Sequence, residues 1–158
     1  MSIGIRPMRP GEEDAVVTML RQLPKDLGLS VVPKVTGESL RKADGLARVM
    51  VAENSGLLVG CCLWVMTYSS WRGAMGIYIS DIYVMEHARD QKVGDKLLHR
   101  VAREAQALGA SFIKLEVDVT NSKARAFYER RGFKHKAEDQ LMILEPEQFG
   151  DYAKGENR

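Results

Sequence analysis

Segment 92–108 constrains this chain most. Val93, Leu97, Leu98, Val101, Ala105 and Leu108 line one side of a 3.6-residue helix, and Gly109 stands where a left-handed cap closes it. Strand-like runs flank it: 75–85, rich in Ile, Tyr and Val, and 111–119, with Phe112, Ile113, Leu115, Val117 and Val119. An apolar helical stripe between two strands has to be buried against a sheet. The remaining segments extend that pattern. A strand is predicted over 3–8, ended by Pro10-Gly11. A helix follows over 11–23 on Ala15, Val16, Met19, Leu20 and Leu23, with Glu12, Glu13 and Asp14 in the first turn, where the dipole favours acids. Pro24 is expected to stop it. Residues 27–36 read as loop, and Thr36 opens a short second helix. Strands over 47–53 and 57–68 are joined by the hairpin signal Asn54-Ser55-Gly56. A helix over 121–131 ends at Gly132, and short strands over 133–136 and 141–144 close the chain. About seven strands and four helices in this order predict an α/β fold, a mixed sheet with helices on both faces.

The 158 residues fit one domain, expected over 1–146, with a polar, fraying tail over 147–158. Lys and Arg number 23 against 21 acids, a net charge of +2, which argues against nucleic acid as a partner. Cys61 and Cys62 are adjacent, so in a strand they point to opposite faces and do not form an ordinary disulfide. They are expected to be buried structural thiols in a cytoplasmic protein. No apolar run approaches the roughly 18 residues of a membrane span, and residues 1–10 lack an apolar signal core. His87, His99 and His135 are not at metal-ligand spacing, so no metal site is expected.

Two segments carry chemistry. The first runs from strand to turn to helix: Asp81-Ile82-Tyr83-Val84, then Arg89-Asp90-Gln91-Lys92-Val93-Gly94, then Asp95-Lys96-Leu97-Leu98. A helix start presents backbone N–H groups and a positive dipole end, which suits phosphate oxygens. Arg89 and Lys92 add charge, and Gly94 lets the backbone approach a ligand. An ordinary strand-to-helix turn is the alternative. The second segment runs from Asn121 to Phe133. Asn121 is a helix N-cap, and Tyr128, about two turns in, serves either the core or a site.

Together the two segments resemble the GCN5-related N-acetyltransferase (GNAT) superfamily. Its first pattern, Val-x-Pro-x-x-Arg-x-x-Gly-x-Gly-x-x-Leu-Leu, is met by Val84, Arg89, Gly94, Leu97 and Leu98. Its second, Leu-x-Val-x-x-x-Asn-x-x-Ala-x-x-Phe-Tyr-x-x-x-Gly-Phe, is met at Leu115, Val117, Asn121, Ala124, Phe127, Tyr128, Gly132 and Phe133. Glu86 replaces the proline, and Lys92 replaces the first glycine. If that position is left-handed, the lysine side chain costs about 1–2 kcal/mol.

The resemblance implies a mostly antiparallel sheet and an acetyl-CoA cosubstrate lying where strands 75–85 and 111–119 splay apart. The backbone of Ile82, Tyr83 and Val84 would pair with the pantetheine arm. Arg89, Asp90, Gln91, Lys92, Val93, Gly94 and Asp95 would hold the pyrophosphate, with Asn121 and Tyr128 beside the cofactor. The implied reaction is direct transfer of the acetyl group to an amine, with Tyr128 as acid and Glu116 as base. Asp81 is the second candidate for the base, or an anchor for the amine. A solvated strand carboxylate is the plainer account of Glu116. Trp71-Arg72-Gly73 and Tyr78-Ile79-Ser80-Asp81 are similar to the diamine acetyltransferase branch, but Ser80 stands where that branch has an acid. The acceptor is therefore left as a small primary amine or an amino-acid-like one. Trp64, Met66, Tyr68, Trp71 and Met75 belong either to an acceptor pocket or to the core. The family often forms homodimers. A catalytically impaired relative that binds acyl-CoA or a protein partner is the alternative function.

Overall fold

The computed structural model describes residues 2–155. It divides into two compact units, Met1–Asp118 and Val119–Arg158. The first holds a five-stranded sheet in the order β1 (Gly4–Pro7), β2 (Arg48–Asn54), β3 (Leu57–Ser69), β4 (Ala74–Val84) and β5 (Ala110–Leu115). Pairing is antiparallel from β1 to β4 and parallel between β4 and β5. The mixed, mostly antiparallel α/β sheet is as expected, but among the described residues it has five strands, not seven.

Three helices serve this sheet: α1 (Glu13–Asp26), α2 (Gly37–Lys42) and α3 (Val93–Ala107). Alternation along the strands sorts their partners. Val49, Val51, Cys61 and Tyr83 bury one face against Val16, Val17, Met19 and Leu20 of α1 and Leu40 of α2. Each large aliphatic side chain so enclosed contributes roughly 1.5–3 kcal/mol. The alternate residues Met50, Cys62 and Trp64, all buried, belong to the other face. There α3 lies over the strands, close enough at Gly60 that a Cβ would meet Val93 and Leu97 at 3.2 Å.

Local signals account for most element ends. Thr36 caps α2 in a reciprocal capping box with Ser39, the two backbone-to-side-chain bonds measuring 2.9 and 3.0 Å. Ser55 and Gly56, at φ 53° and 83°, turn the β2–β3 hairpin. Gly109 takes φ 96° behind α3, the left-handed cap expected there. Pro24 does not stop α1, which runs on to Asp26. In the last turn its missing N–H forfeits a single helical bond, and the chain continues.

The second unit holds α4 (Ser122–Glu129) and α5 (Pro146–Ala153). Residues 133–136 and 141–144 form no strand. Their composition suits a strand, but a strand exists only with a ladder partner. The polar tail, expected to fray, instead forms α5, with Pro146 in the first turn, where its fixed φ suits a helix. Glu156 and Asn157, also assigned to the tail, lie outside the described residues. No described helix is long and apolar enough to cross a membrane.

Candidate active site

The β4–β5 ladder ends at Ile79 opposite Leu115, while β4 runs on through Ser80, Asp81, Ile82 and Tyr83 to Val84. Beyond Ile79 the two central strands no longer pair. The stretch that parts from β5 includes the three residues whose backbone the family pattern assigns to pantetheine.

A bulge lies at the same point. Ile79 faces Trp64 and Asp81 faces Leu63, which leaves Ser80 without an opposite residue on β3. Such an extra residue reverses which face the rest of the strand presents. Tyr78 lies opposite Val65, and Val65 shares a face of β3 with Leu63. Tyr78 and Asp81 therefore share a face although they are three residues apart. Tyr78 is also the register partner of Lys114 on β5, and Glu116 follows two residues later. The Tyr78 phenol lies within electrostatic reach of the Glu116 and Asp81 carboxylates. Burial first, then the neighbouring Glu116 carboxylate, raises the Tyr78 pKa, so the hydroxyl stays protonated. Burial also raises the Asp81 pKa. The fold thus brings together the two sequence-predicted carboxylates, Asp81 and Glu116, around a tyrosine that sequence reasoning missed.

After Val84 the chain winds into a 3-10 turn, Glu86–Gln91. Lys92 follows at φ 57°, ψ 30°, left-handed, and starts α3 without a side-chain cap. The glycine position is indeed left-handed, and a lysine occupies it. The first intrahelical bond runs from Lys96 N to Lys92 O at 3.1 Å, so the amides of Val93 and Gly94 belong to the free end of the helix. Asp90, Gln91 and Lys92 are exposed, Val93 is buried, and Gly94 and Asp95 are half-buried.

Arg89 folds back from this turn. Its Nε donates to Val84 O at 2.9 Å, and its guanidinium lies 5.7 Å from the centre of the Tyr83 ring. The same guanidinium forms an ion pair with Asp26 at the end of α1. Asp26 also accepts from the Tyr83 hydroxyl at 2.9 Å and from Gln22 at 2.8 Å. These bonds, Gln22 first, lower the Asp26 pKa. Burial, then the bond to Asp26, pushes Tyr83 up to about 12. Asp26 was not singled out from the sequence. An acid at a helix C-terminus, where the dipole disfavours it, was the available signal.

In the second unit Asn121 caps α4 as predicted, its Oδ1 accepting from Ala124 N at 3.1 Å. Tyr128 is buried, with Phe127 and Phe133 each at 5.2 Å in edge-on contact. Cys61 and Cys62 are fully buried, and desolvation pushes the Cys61 thiol up to about 12 and raises that of Cys62 further. Both are inert structural thiols. Among the suggested pocket aromatics, Trp64 is core, whereas Trp71 is fully exposed and Tyr68 mostly so.

Known proteins resemble this chain in sequence and in fold. The acetyltransferase (GNAT) family model matches residues 18–133. Thialysine N-epsilon-acetyltransferase of Mus musculus is 34% identical over 144 residues, covering 83% of this chain and 84% of that protein. IAA acetyltransferase of Azospirillum brasilense is 31% identical over 126 residues, covering 77% and 78%. In fold alone, an integron cassette protein from the V. cholerae mobile metagenome superposes with a TM-score of 0.79 at 17% identity, over 98% of this chain and 99% of the other. The chain belongs to the GNAT family and is an N-acetyltransferase.

Proposed function

We propose that this enzyme moves the acetyl group of acetyl-CoA onto the primary amine of a small, amino-acid-like acceptor of the thialysine type. The observation that carries the reading is the sheet face shared by Tyr78 and Asp81, with Glu116 beside it just past the end of β5, where β4 parts from β5. Two carboxylates at that point suit an ammonium-bearing acceptor. Glu116 takes the proton from the attacking amine. The amine lone pair then forms the new C–N bond to the thioester carbonyl, and the C–S bond breaks. Tyr128 supplies the proton that leaves with the CoA sulfur. Asp81, whose pKa burial raises, anchors the amine or serves as a second base.

For the donor, the backbone of Ile82, Tyr83 and Val84 pairs with pantetheine. The segment Arg89, Asp90, Gln91, Lys92, Val93, Gly94 and Asp95 receives the pyrophosphate, and Asn121 and Tyr128 border the cofactor. Lys92 supports this reading because it keeps the left-handed backbone the family glycine would adopt. The reading includes a homodimer and a cytoplasmic location, which sedimentation and cell fractionation test directly.

The deciding experiment is an acceptor panel of thialysine, lysine, ornithine and polyamines, read as free CoA released, with and without Glu116→Gln. Turnover on amino-acid-like amines that the variant loses is expected. Release from no acceptor, with acetyl-CoA still bound, would instead favour a binding protein without catalysis.

A further inference from the structure

We propose that Asp26 is a positioning residue for the acetyl donor. Its carboxylate braces Arg89 and, through it, sets the turn that leads into α3 before acetyl-CoA arrives. This rests on the reading of the segment from Arg89 to Asp95 as the pyrophosphate site.

The brace is built from both sides. Gln22 donates to one oxygen of Asp26 at 2.8 Å and the Tyr83 hydroxyl to the other at 2.9 Å, so α1 and β4 together fix the carboxylate. Tyr83 is buried, which anchors its bond in the sheet. The oxygen that accepts from Tyr83 also takes the Arg89 guanidinium. Arg89 in turn donates from Nε to Val84 O at 2.9 Å and lies 5.7 Å from the centre of the Tyr83 ring. The arginine is thereby held at Nε, at a terminal nitrogen and against an aromatic ring. A side chain ordered in this way has lost its rotamer freedom before a ligand binds, so binding does not bear that cost.

The turn depends on this tie. Among the described residues, Arg89 is the only side chain of the Glu86–Gln91 turn with a hydrogen bond or ion pair. Lys92 then starts α3 in a left-handed conformation with no side-chain cap. Where Arg89 is fastened therefore sets the path into the amides of Val93 and Gly94. The ion pair also divides the two cations of the turn. Asp26 neutralises Arg89, whereas Lys92 pairs with no acid among the described residues. Attraction for the pyrophosphate falls to Lys92 and the helix amides, and Arg89 supplies their placement.

Asp26→Asn keeps the shape of the side chain and removes its charge, and the sign of the effect separates the roles. Acetyl-CoA is a polyanion, so deleting a nearby acid would by charge alone tighten its binding. A carboxylate that merely kept Arg89 away from the phosphates would, once neutral, release it and also tighten binding. Loss of a brace weakens binding instead, by about three- to tenfold in calorimetric Kd, the weight of one charged hydrogen bond at a partly exposed site. kcat at saturating acetyl-CoA changes little, because the brace acts before chemistry. Tyr83→Phe keeps the ring, removes one donor to Asp26, and should weaken binding in the same direction by less. On an Arg89→Gln background, Asp26→Asn should cost nothing further. Calorimetric stoichiometry counts the folded protein, so a purely structural Asp26 would lower the melting temperature and leave Kd in place. Unchanged or tighter binding by Asp26→Asn overturns the brace. An equal loss with and without Arg89→Gln overturns it too, since Asp26 would then act without Arg89. If Arg89→Gln and Lys92→Ala both leave acetyl-CoA affinity intact, the pyrophosphate lies elsewhere, and the donor-site assignment falls together with the role of Asp26.

Discussion

Replacing Lys92 by glycine separates two properties that this position combines. The residue stands at φ 57°, ψ 30°, where a Cβ crowds the following carbonyl. A non-glycine residue in that region costs roughly 1–2 kcal/mol. Glycine removes the cost but frees the unfolded chain, which returns about 0.4–1 kcal/mol. The native state should therefore gain about 1 kcal/mol, or about 2–4 °C in melting temperature for a chain of this length. The same substitution removes an exposed ammonium from the turn assigned to the pyrophosphate. One exposed ion pair is worth up to about 1 kcal/mol, so affinity for acetyl-CoA should fall roughly two- to fivefold. Lys92→Ala is the control, since it loses the ammonium and keeps the strained backbone. Thermal unfolding without ligand and titration calorimetry with acetyl-CoA read the two properties separately. Both variants should bind more weakly, and the glycine variant alone should be more stable. If Lys92→Ala matched Lys92→Gly in stability, backbone strain would not be the cause. If neither lost affinity, the ammonium would not face the phosphates.

Other perturbations test the fold and the chemistry. Arg6 bonds both Glu12 at 2.7 Å and Glu53 at 2.5 Å, and its hydrogen bond holds Glu12 down to about 2. A carboxylate depressed in the native state stabilises it above the unfolded pKa and loses that contribution as pH falls through the folded one. Glu12→Gln should thus cost on the order of 1–2 kcal/mol at neutral pH, and the difference from the parent should fade between about pH 4.5 and 2. Denaturant titrations across that range check it. At Gly76 an added Cβ would stand 2.4 Å from the Phe112 ring, so Gly76→Ala should destabilise by about 1–3 kcal/mol, with Phe112→Leu restoring much of the loss. Tyr128→Phe should lower kcat on the order of a hundredfold while acetyl-CoA binding stays largely intact, as rapid-mixing kinetics and calorimetry would report.

Periodicity was enough to read the five strands that form and the three helices beside them, though not to limit the sheet to five, because amphipathic stripes such as Val93–Leu97–Val101 encode burial directly. It failed where structure depends on a partner. The 141–144 run has a strand's composition, yet Leu141, Met142 and Ile143 are exposed and no ladder forms. It also failed at Pro24, where position within the helix outweighs the residue's reputation. Arg89, Lys92 and Glu116 were legible as chemistry because a family pattern marks them or lies close by. Asp26 and Tyr78 were not, since each meets residues distant in sequence: Asp26 pairs with Arg89, and Tyr78 lies near Glu116. No local window contains either pair.

The unopposed residue at Ser80 acts as a frameshift in space. Remove it, and the downstream stretch of β4 exchanges sides: Asp81 and Tyr83 would turn towards α3, while Ile82 and Val84 would turn to the face they now avoid. The composition would hardly change, yet the acid would leave the phenol, and Tyr83 would leave the carboxylate that ends α1. Removing two residues would restore the faces and shift the register instead. A strand built this way tolerates changes of side chain more readily than changes of length, and its chemistry depends on the parity of a count.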